Sequence, residues 1–318
     1  MFFFKPQKIK VAVLMGGPSS EYEVSLATGK MVAKHLDKKK YEAKSVVVGR
    51  DGHWPLPLKD VASNHDFAFV AMHGEYGEDG QLQKQLEKLR LPHTGSDSKV
   101  SKLAIDKART NKLLTKKGLT CPPAITFSKT NLTKLDFVRL VRLGLPLVVK
   151  PTDRGSSVGV SVIKSVGQLA PAINNALLVS NNVMIEKFIP GRELTCAVLA
   201  GEALLPTEIK PKSSKFFDYK AKYIKGASLE ITPPKLPDKI IKNIQKTALK
   251  AHETLRCSGY SRTDMILDGD NNLYVLEINT LPGLTKTSLL PQAAAKAGIN
   301  FSQLLDIIID NSVSSRTK

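Results

Sequence analysis

Toward its C-terminal end the chain reads SRTDMILDGDNNLYVLEINTLPG (261–283), two β-type runs flanking a turn cluster. Arg262–Leu267 and Leu273–Asn279 are the runs, and Asp268–Asn272 supplies the Asp, Gly and Asn residues of a hairpin. If Leu267 pairs with Tyr274, Asp264 lies directly opposite Glu277, and period-two geometry puts Arg262 and Asn279 on that same face. Like charges so placed repel. Any fold of this chain must therefore hold an antiparallel sheet whose one face carries two opposed carboxylates with something positive between them. Two arrangements meet that demand: a hard cation such as Mg²⁺ bound by the oxygens, or an Arg–carboxylate network on a solvated sheet face. A calcium loop does not. Asp268, Asp270 and Asn272 mimic its first, third and fifth ligands, but Leu273 stands where Gly is needed and Asn279 where Glu is needed.

Upstream, the first hundred residues alternate strands and helices. Lys8–Met15 is a short apolar run ending in Gly16-Gly17-Pro18, after which Ser19 and Ser20 offer N-caps for a helix reaching about His35. Asp66–Met72 is a second buried strand, followed by a Gly-rich loop and a helix from Gly80 to Leu89. This rhythm predicts a parallel α/β sheet, with ligands at the carboxyl ends of its strands, where Gly16 and His73 sit. From Lys102 the character changes. Lysine-rich helices are expected over Ile105–Lys117 and Thr133–Leu143, with Gly118 and Gly144 as C-terminal stops. Strands are expected at Pro146–Lys150 and Val158–Ile163. A strand-rich third part begins near Ile185 and contains one long helix from Pro237 to Arg256, whose Ile240, Ile244, Ala248, Ala251 and Leu255 recur at spacings of three and four. The architecture is mixed α/β and α+β in three domains: 1–102, 103–186 and 187–318.

Between Lys150 and Val160 the loop Gly155-Ser156-Ser157 joins two strands, and small residues there let backbone N–H groups approach phosphate closely. Lys150 adds a point charge. The loop is not a GxxxxGK(S/T) phosphate loop, and a GxGxxG dinucleotide fingerprint is absent from the sequence. Segment 212–226 (KSSKFFDYKAKYIKG) sets five lysines and four aromatics around the single acid Asp218. It reads either as a lid over an anionic site, as a nucleic-acid surface, or as a solvated basic loop.

A net charge of +18 admits an anionic partner or simply a basic surface. With 42% hydrophobic and 24% charged residues, the composition excludes disordered and collagen-like chains, and no apolar run is long enough to span a membrane. Three scattered cysteines, Cys121, Cys196 and Cys257, fit neither a disulfide framework nor a zinc site. The start, MFFFKPQKIKV, is too short in apolar residues for a signal peptide, so a cytoplasmic setting is expected.

Taken together, the segments resemble the D-alanine–D-alanine ligases of the ATP-grasp superfamily. The likeness runs nearly end to end through VAVLMGGPSSEYEVS (11–25), MHGEYGEDG (72–80), DKARTNKLL (106–114), VVKPTDRGSSVGV (148–160), IEKFIPGRELT (185–195), FFDYKAKY (216–223), SRTDMILD (261–268) and LEINTLPGLTKTSLLP (276–291). It implies an ATP-grasp fold with an N-terminal parallel α/β (pre-ATP-grasp) domain, and synthesis of D-alanyl-D-alanine for peptidoglycan at the expense of ATP. The alternatives are a relative using D-lactate or D-serine as second substrate and, from another class, a basic nucleic-acid-binding protein on the same scaffold.

By this resemblance Asp264, Glu277 and Asn279 match ligands of a pair of Mg²⁺ ions, for which Mn²⁺ substitutes. Lys107, Lys150 and Lys222 match phosphate-binding lysines, and Gly155, Ser156 and Ser157 the loop over the phosphates. Glu186, Lys187 and Ile189 match the adenine hinge and Glu193 the ribose acid. Glu21, Ser156 and Tyr223 match a hydrogen-bonded trio tethering the lid, and Tyr223 favours the dipeptide over the depsipeptide product. Glu21, Val24 and His73 match substrate contacts, with Glu21 near the first D-alanine's ammonium. Arg262 and the Gly283 N–H face the tetrahedral oxyanion, while Ser288 and Leu289, at the start of a helix with Pro291 in its first turn, receive the second carboxylate. The resemblance implies a homodimer acting on D-alanine and ATP, with no membrane and no specific nucleic acid.

Overall fold

β1 (Ile9–Gly16) is buried continuously from Val11 onward. A strand apolar on both faces belongs inside a parallel sheet. In the computed structural model, which describes residues 7–134, 137–211 and 228–314, that is where it lies. α1 (Tyr22–His35) follows, then β2 (Tyr41–Val48), α2 (Leu58–Asn64), β3 (Phe67–Val70) and α3 (Gln81–Lys88). The sheet order is β2-β1-β3, all parallel. Gly16 turns at φ +84°, and a Cβ there would fall 2.3 Å from the Val48 carbonyl, so only glycine lets β1 pass β2 and release the loop that follows. The expected serine cap is replaced. The helix starts at Tyr22 after Glu21, and Ser19 Oγ instead accepts the Glu21 N–H at 2.9 Å.

The central part corrects several expectations. The helix expected over Ile105–Lys117 is α5 (Lys107–Lys116), and a separate α4 (Ser98–Ile105), which was not expected, precedes it. Asp106 between them keeps an extended backbone and accepts the Arg109 N–H at 3.1 Å, an N-cap that restarts the helix. The break places Lys107 at a helix start, buried. Gly118, at φ +75°, ends α5 as expected. β4 (Ala124–Ser128) and a 3₁₀ stretch precede α6 (Phe137–Leu143), so the expected Thr133–Leu143 helix is shorter among the described residues. β5 (Leu147–Pro151) pairs with β6 (Ser161–Ile163), which is shorter than the expected Val158–Ile163. Positive φ at Ser156, Ser157 and Gly159 keeps the missing residues in the loop. α7 (Leu169–Leu177) covers this sheet, and β7 (Asn182–Lys187) completes it in the order β4-β7-β5-β6.

The third sheet runs β11-β10-β8-β12-β13, from β8 (Arg192–Leu199), β10 (Thr207–Pro211), β11 (Ser228–Ile231), β12 (Tyr260–Leu267) and β13 (Leu273–Asn279). The short β9 (Glu202–Ala203) pairs with β8. α8 (Asp238–Leu255) lays Ile244, Ala248, Ala251 and Leu255 on this sheet as its period predicts, and keeps Lys239, Lys242, Lys246 and Lys250 in solvent. Four of the chain's basic side chains are thus a solvated helix face. α9 (Leu289–Lys296) and α10 (Phe301–Ser314) return to the first sheet. Leu290, Leu304 and Ile308 share one core with Val13, Phe69 and Leu82. The segment 212–226, with Lys222 and Tyr223, lies outside the described residues. Among the described residues no helix is long and apolar enough to cross a membrane.

His252 on α8 is buried, its Nδ1 2.7 Å from Ser261 Oγ of β12. Burial pushes its pKa down to about 4. The folded state therefore binds fewer protons than the unfolded chain between pH 6.5 and 4, and stability falls as pH drops through that window. Between pH 7 and 5 the expected loss from this residue is about 2 kcal/mol. Denaturant unfolding of the wild type and His252→Gln at both pH values checks it. The variant should lack that increment, and equal pH slopes would remove His252 as the cause.

Candidate active site

The hairpin brings its carboxylates together by a route the sequence does not announce. Leu267 pairs with Leu273 rather than Tyr274, and Ile266 takes Tyr274. A bulge between Asp264 and Met265 then restores the offset, so that Asp264 faces Glu277 and Arg262 faces Asn279. Each carboxylate has a cation. Arg262 donates from Nε and Nη2 to the two Asp264 oxygens, both at 2.8 Å, and Thr195 Oγ1 on β8 adds a third bond at 2.7 Å. Lys107 Nζ lies 3.2 Å from Glu277 Oε2 and donates to the Arg154 carbonyl at 2.7 Å. Asn279 Oδ1 accepts the Leu281 N–H at 2.8 Å.

Two cavities meet at this hairpin. One, of about 480 Å³, is bordered by Glu21, Val24, His73, Gly155, Ser156, Arg262, Asn279, Gly283, Ser288 and Leu289. The other, of about 450 Å³, is bordered by Lys150, Ser157, Glu186, Lys187, Ile189, Glu193 and Asp264. Lys107 and Glu277 line both. Every candidate residue from the sequence that is described thus borders one cavity or the other. Lys222 and Tyr223 are the two that lie outside the described residues.

In the second cavity β5 and β7 pair so that Lys150 Nζ meets Glu186 Oε1 at 2.7 Å, both side chains buried. Glu186 Oε2 has no hydrogen-bond partner among the described residues. A buried, half-satisfied carboxylate on a cavity wall is an acceptor awaiting a donor. The Gly/Ser loop is held from two sides: by Lys107 through the Arg154 carbonyl, and by the Arg154–Glu75 ion pair at 3.3 Å. Arg192 and the deeply buried Glu208 form a bidentate pair at 2.7 Å beside Glu193. Burial pushes the Glu208 carboxyl up, but the Arg192 bonds and charge outweigh it and hold the group below its ordinary range.

In the first cavity, His73 caps the end of β3. Its Nε2 lies 2.9 Å from Thr28 Oγ1 and its Nδ1 3.2 Å from Glu78 Oε1. Burial alone would lower the imidazole pKa; the hydrogen bond and charge of Glu78, with Glu21 beyond, reverse this and raise it. Glu78, missed as a site residue in the sequence, is signalled there only by its place in MHGEYGEDG. At the opposite wall Ser288 precedes α9, and its Oγ accepts the Thr285 N–H at 3.0 Å. Thr195, Arg154 and the Arg192–Glu208 pair were likewise not foreseen, because each partner is remote in sequence.

Two family descriptions match the chain: D-ala D-ala ligase N-terminus over residues 10–65 and D-ala D-ala ligase C-terminus over residues 113–310. A D-alanine–D-alanine ligase of Syntrophobacter fumaroxidans is 45% identical over 96% of this chain and 97% of the relative. The crystal structure of the Bacillus anthracis ligase complexed with ATP superposes with a TM-score of 0.85 at 36% identity, over 97% of this chain and 99% of that one. The VanG D-Ala:D-Ser ligase from Enterococcus faecalis gives 0.86 at 31% identity, over 96% and 100%. With its three sheets arranged as an ATP-grasp fold, the chain belongs to the D-alanine–D-alanine ligase family.

Proposed function

We propose that this protein joins two D-alanines into D-alanyl-D-alanine, with ATP converted to ADP and phosphate through an acyl phosphate, for peptidoglycan precursors in the cytoplasm. The observation that carries the reading is the shared wall: a cavity with a buried Lys–Glu pair and a second, acid- and hydroxyl-lined cavity meet at Lys107 and Glu277. Phosphoryl transfer between a nucleotide in one and a carboxylate in the other needs such a junction. Domain limits at 102/103 and 186/187, and a homodimer, accompany the reading.

Glu186 Oε2 suits the adenine amino group as donor, with Lys187 and Ile189 along the base and Glu193 toward the ribose. Lys150, Lys107 and Lys222 offset phosphate charge under the loop Gly155–Ser157. Asp264, Glu277 and Asn279 fit a hard divalent cation, since they offer only oxygens. Asp264 has about four lone-pair sites, and Arg262 and Thr195 occupy three of them, leaving room for one more bond. Magnesium, or manganese in its place, bound there would neutralise charge on the ATP phosphates. Glu21, backed by the His73–Glu78 pair and flanked by Val24, takes the ammonium of the first D-alanine. Its carboxylate oxygen attacks the γ-phosphorus and ADP leaves. The amine of the second D-alanine attacks the acyl carbon, Arg262 and the Gly283 N–H face the resulting oxyanion, and phosphate departs. Ser288 and the Leu289 N–H at the start of α9 hold the second carboxylate. Ser156 borders the first cavity with Glu21, and Tyr223, the third member of the trio the resemblance implies, lies outside the described residues.

The test is ADP release with Mg²⁺ and D-alanine, against L-alanine and against D-alanine mixed with D-lactate or D-serine. D-Alanine-dependent turnover with dipeptide as main product is expected. No such turnover would sink the ligase reading, and a depsipeptide or D-serine product would transfer it to that relative.

A further inference from the structure

We propose that Glu230 selects the second substrate, favouring an amino acid over a hydroxy acid at the site where the acyl phosphate is attacked. The inference rests on the ligase reading above. Glu230 lies half-buried on β11, opposite Ile209 of β10, and borders the same cavity as Arg262, Gly283, Ser288 and Leu289. Its Oε2 accepts a hydrogen bond from Gln292 Nε2, and the same nitrogen donates to the Thr287 carbonyl at 2.9 Å. Gln292 belongs to the first turn of α9. The carboxylate is thus pinned beside the helix start that receives the second substrate's carboxylate.

Other acids border this cavity, but elsewhere. Glu21 and Glu78 group with His73 on the wall built from β1, α1 and β3, Glu23 of α1 is paired with Arg50, and Glu277 with Lys107. Glu230 is the acid fastened to α9. A zwitterion seated there meets complementary charge at both ends: N–H groups of the helix start for its carboxylate, and Glu230 for its ammonium. D-Lactate carries the same carboxylate and a neutral hydroxyl, so it gains only the first of these. The attacking form of the substrate is the neutral amine, which a carboxylate does not favour over the ammonium. As the C–N bond forms the nitrogen regains positive charge, so Glu230 favours the amine in the bound zwitterion and in the transition state alike, and its effect is carried by kcat/KM for the second substrate.

Glu230→Gln keeps shape and the contact with Gln292 but removes the charge. Its expected effect is a fall in kcat/KM for the second D-alanine of about three- to tenfold, the scale of one partly solvated charge pair. KM for ATP and for the first D-alanine should stay within about twofold, and the dipeptide-to-depsipeptide ratio in D-alanine/D-lactate mixtures should fall by the same factor as that kcat/KM. A merely structural role would move all three constants together, which would overturn the assignment. Gln292→Leu, which releases the carboxylate without removing it, should shift the second-site kcat/KM in the same direction by less. A wild type active on D-alanine, with second-site kcat/KM and product ratio unchanged in both variants, overturns Glu230 as the selector. A wild type without D-alanine-dependent ADP release overturns the ligase reading itself.

Discussion

Glu277→Gln should lower the turnover of D-alanine-dependent ADP release about a hundred- to a thousandfold, the usual effect of losing one well-placed electrostatic group, while the protein stays folded. Glu277 lines both cavities and faces Asp264 across the hairpin, with Lys107 at 3.2 Å. The amide keeps volume and one acceptor, so packing against β12 is undisturbed. What changes is the charge on the wall shared by the two cavities, where the proposed reading brings nucleotide phosphates and the first carboxylate together. The stability effect is smaller because the Glu277 side chain is 26% exposed and Lys107 retains the Arg154 carbonyl. Loss of one such pair costs about 1 kcal/mol, a shift of a few degrees in Tm. Nucleotide binding by calorimetry gives a readout apart from turnover: the variant should require more Mg²⁺ to reach the same ATP affinity. Wild-type turnover would remove Glu277 from the phosphate end of the site. A collapsed Tm would make its role structural.

The hairpin was legible because its signals are local: period two, a turn cluster, and charges breaking an apolar pattern. The bulge was not, because the extra residue, Leu276, looks like any other strand residue until β12 and β13 are paired. The break at Asp106 escaped for a related reason. An aspartate fits a solvated helix position as well as an N-cap, and only the Arg109 N–H decides between them. β2 was invisible since most of its residues are exposed and no alternation survives in YEAKSVVV. Among the site residues, motif order and resemblance located those that border the cavities. The pairings that arm them, Lys150 with Glu186, Lys107 with Glu277 and Arg192 with Glu208, join residues from 16 to 170 positions apart, a distance over which sequence carries no periodic signal. The +18 charge was the loudest feature of composition and the least informative about the site, where Lys107, Lys150 and Arg262 each face an acid.

Arg262→Gln should combine a stability loss with a turnover loss, and the two can be pulled apart. Arg262 and Asp264 are buried to similar degrees, at 15% and 12% side-chain exposure, and the guanidinium bonds each of the carboxylate oxygens once. Removing it leaves Asp264 with Thr195 alone in a poorly solvated place. Breaking a buried pair from one side costs about 3–5 kcal/mol; the open cavity beside Asp264 and the remaining Thr195 bond put the expectation here at the lower end. Turnover should fall at least about a hundredfold, because the same guanidinium is assigned to the oxyanion. In Arg262→Gln with Asp264→Asn, no uncompensated charge remains buried, so unfolding free energy should return most of the way while dipeptide formation stays lost. Arg262→Lys restores charge without the planar fork and should recover stability only in part. The step affected is distinguishable as well. Scrambling of the β,γ-bridging oxygen of ATP reports reversible phosphoryl transfer to the first D-alanine, and it should persist in Arg262→Gln when dipeptide does not form. If scrambling vanishes together with dipeptide, Arg262 serves the phosphoryl transfer and not the attack of the second amine. If turnover instead returned with stability in the double variant, neither the Arg262 guanidinium nor the Asp264 carboxylate would be needed for the reaction.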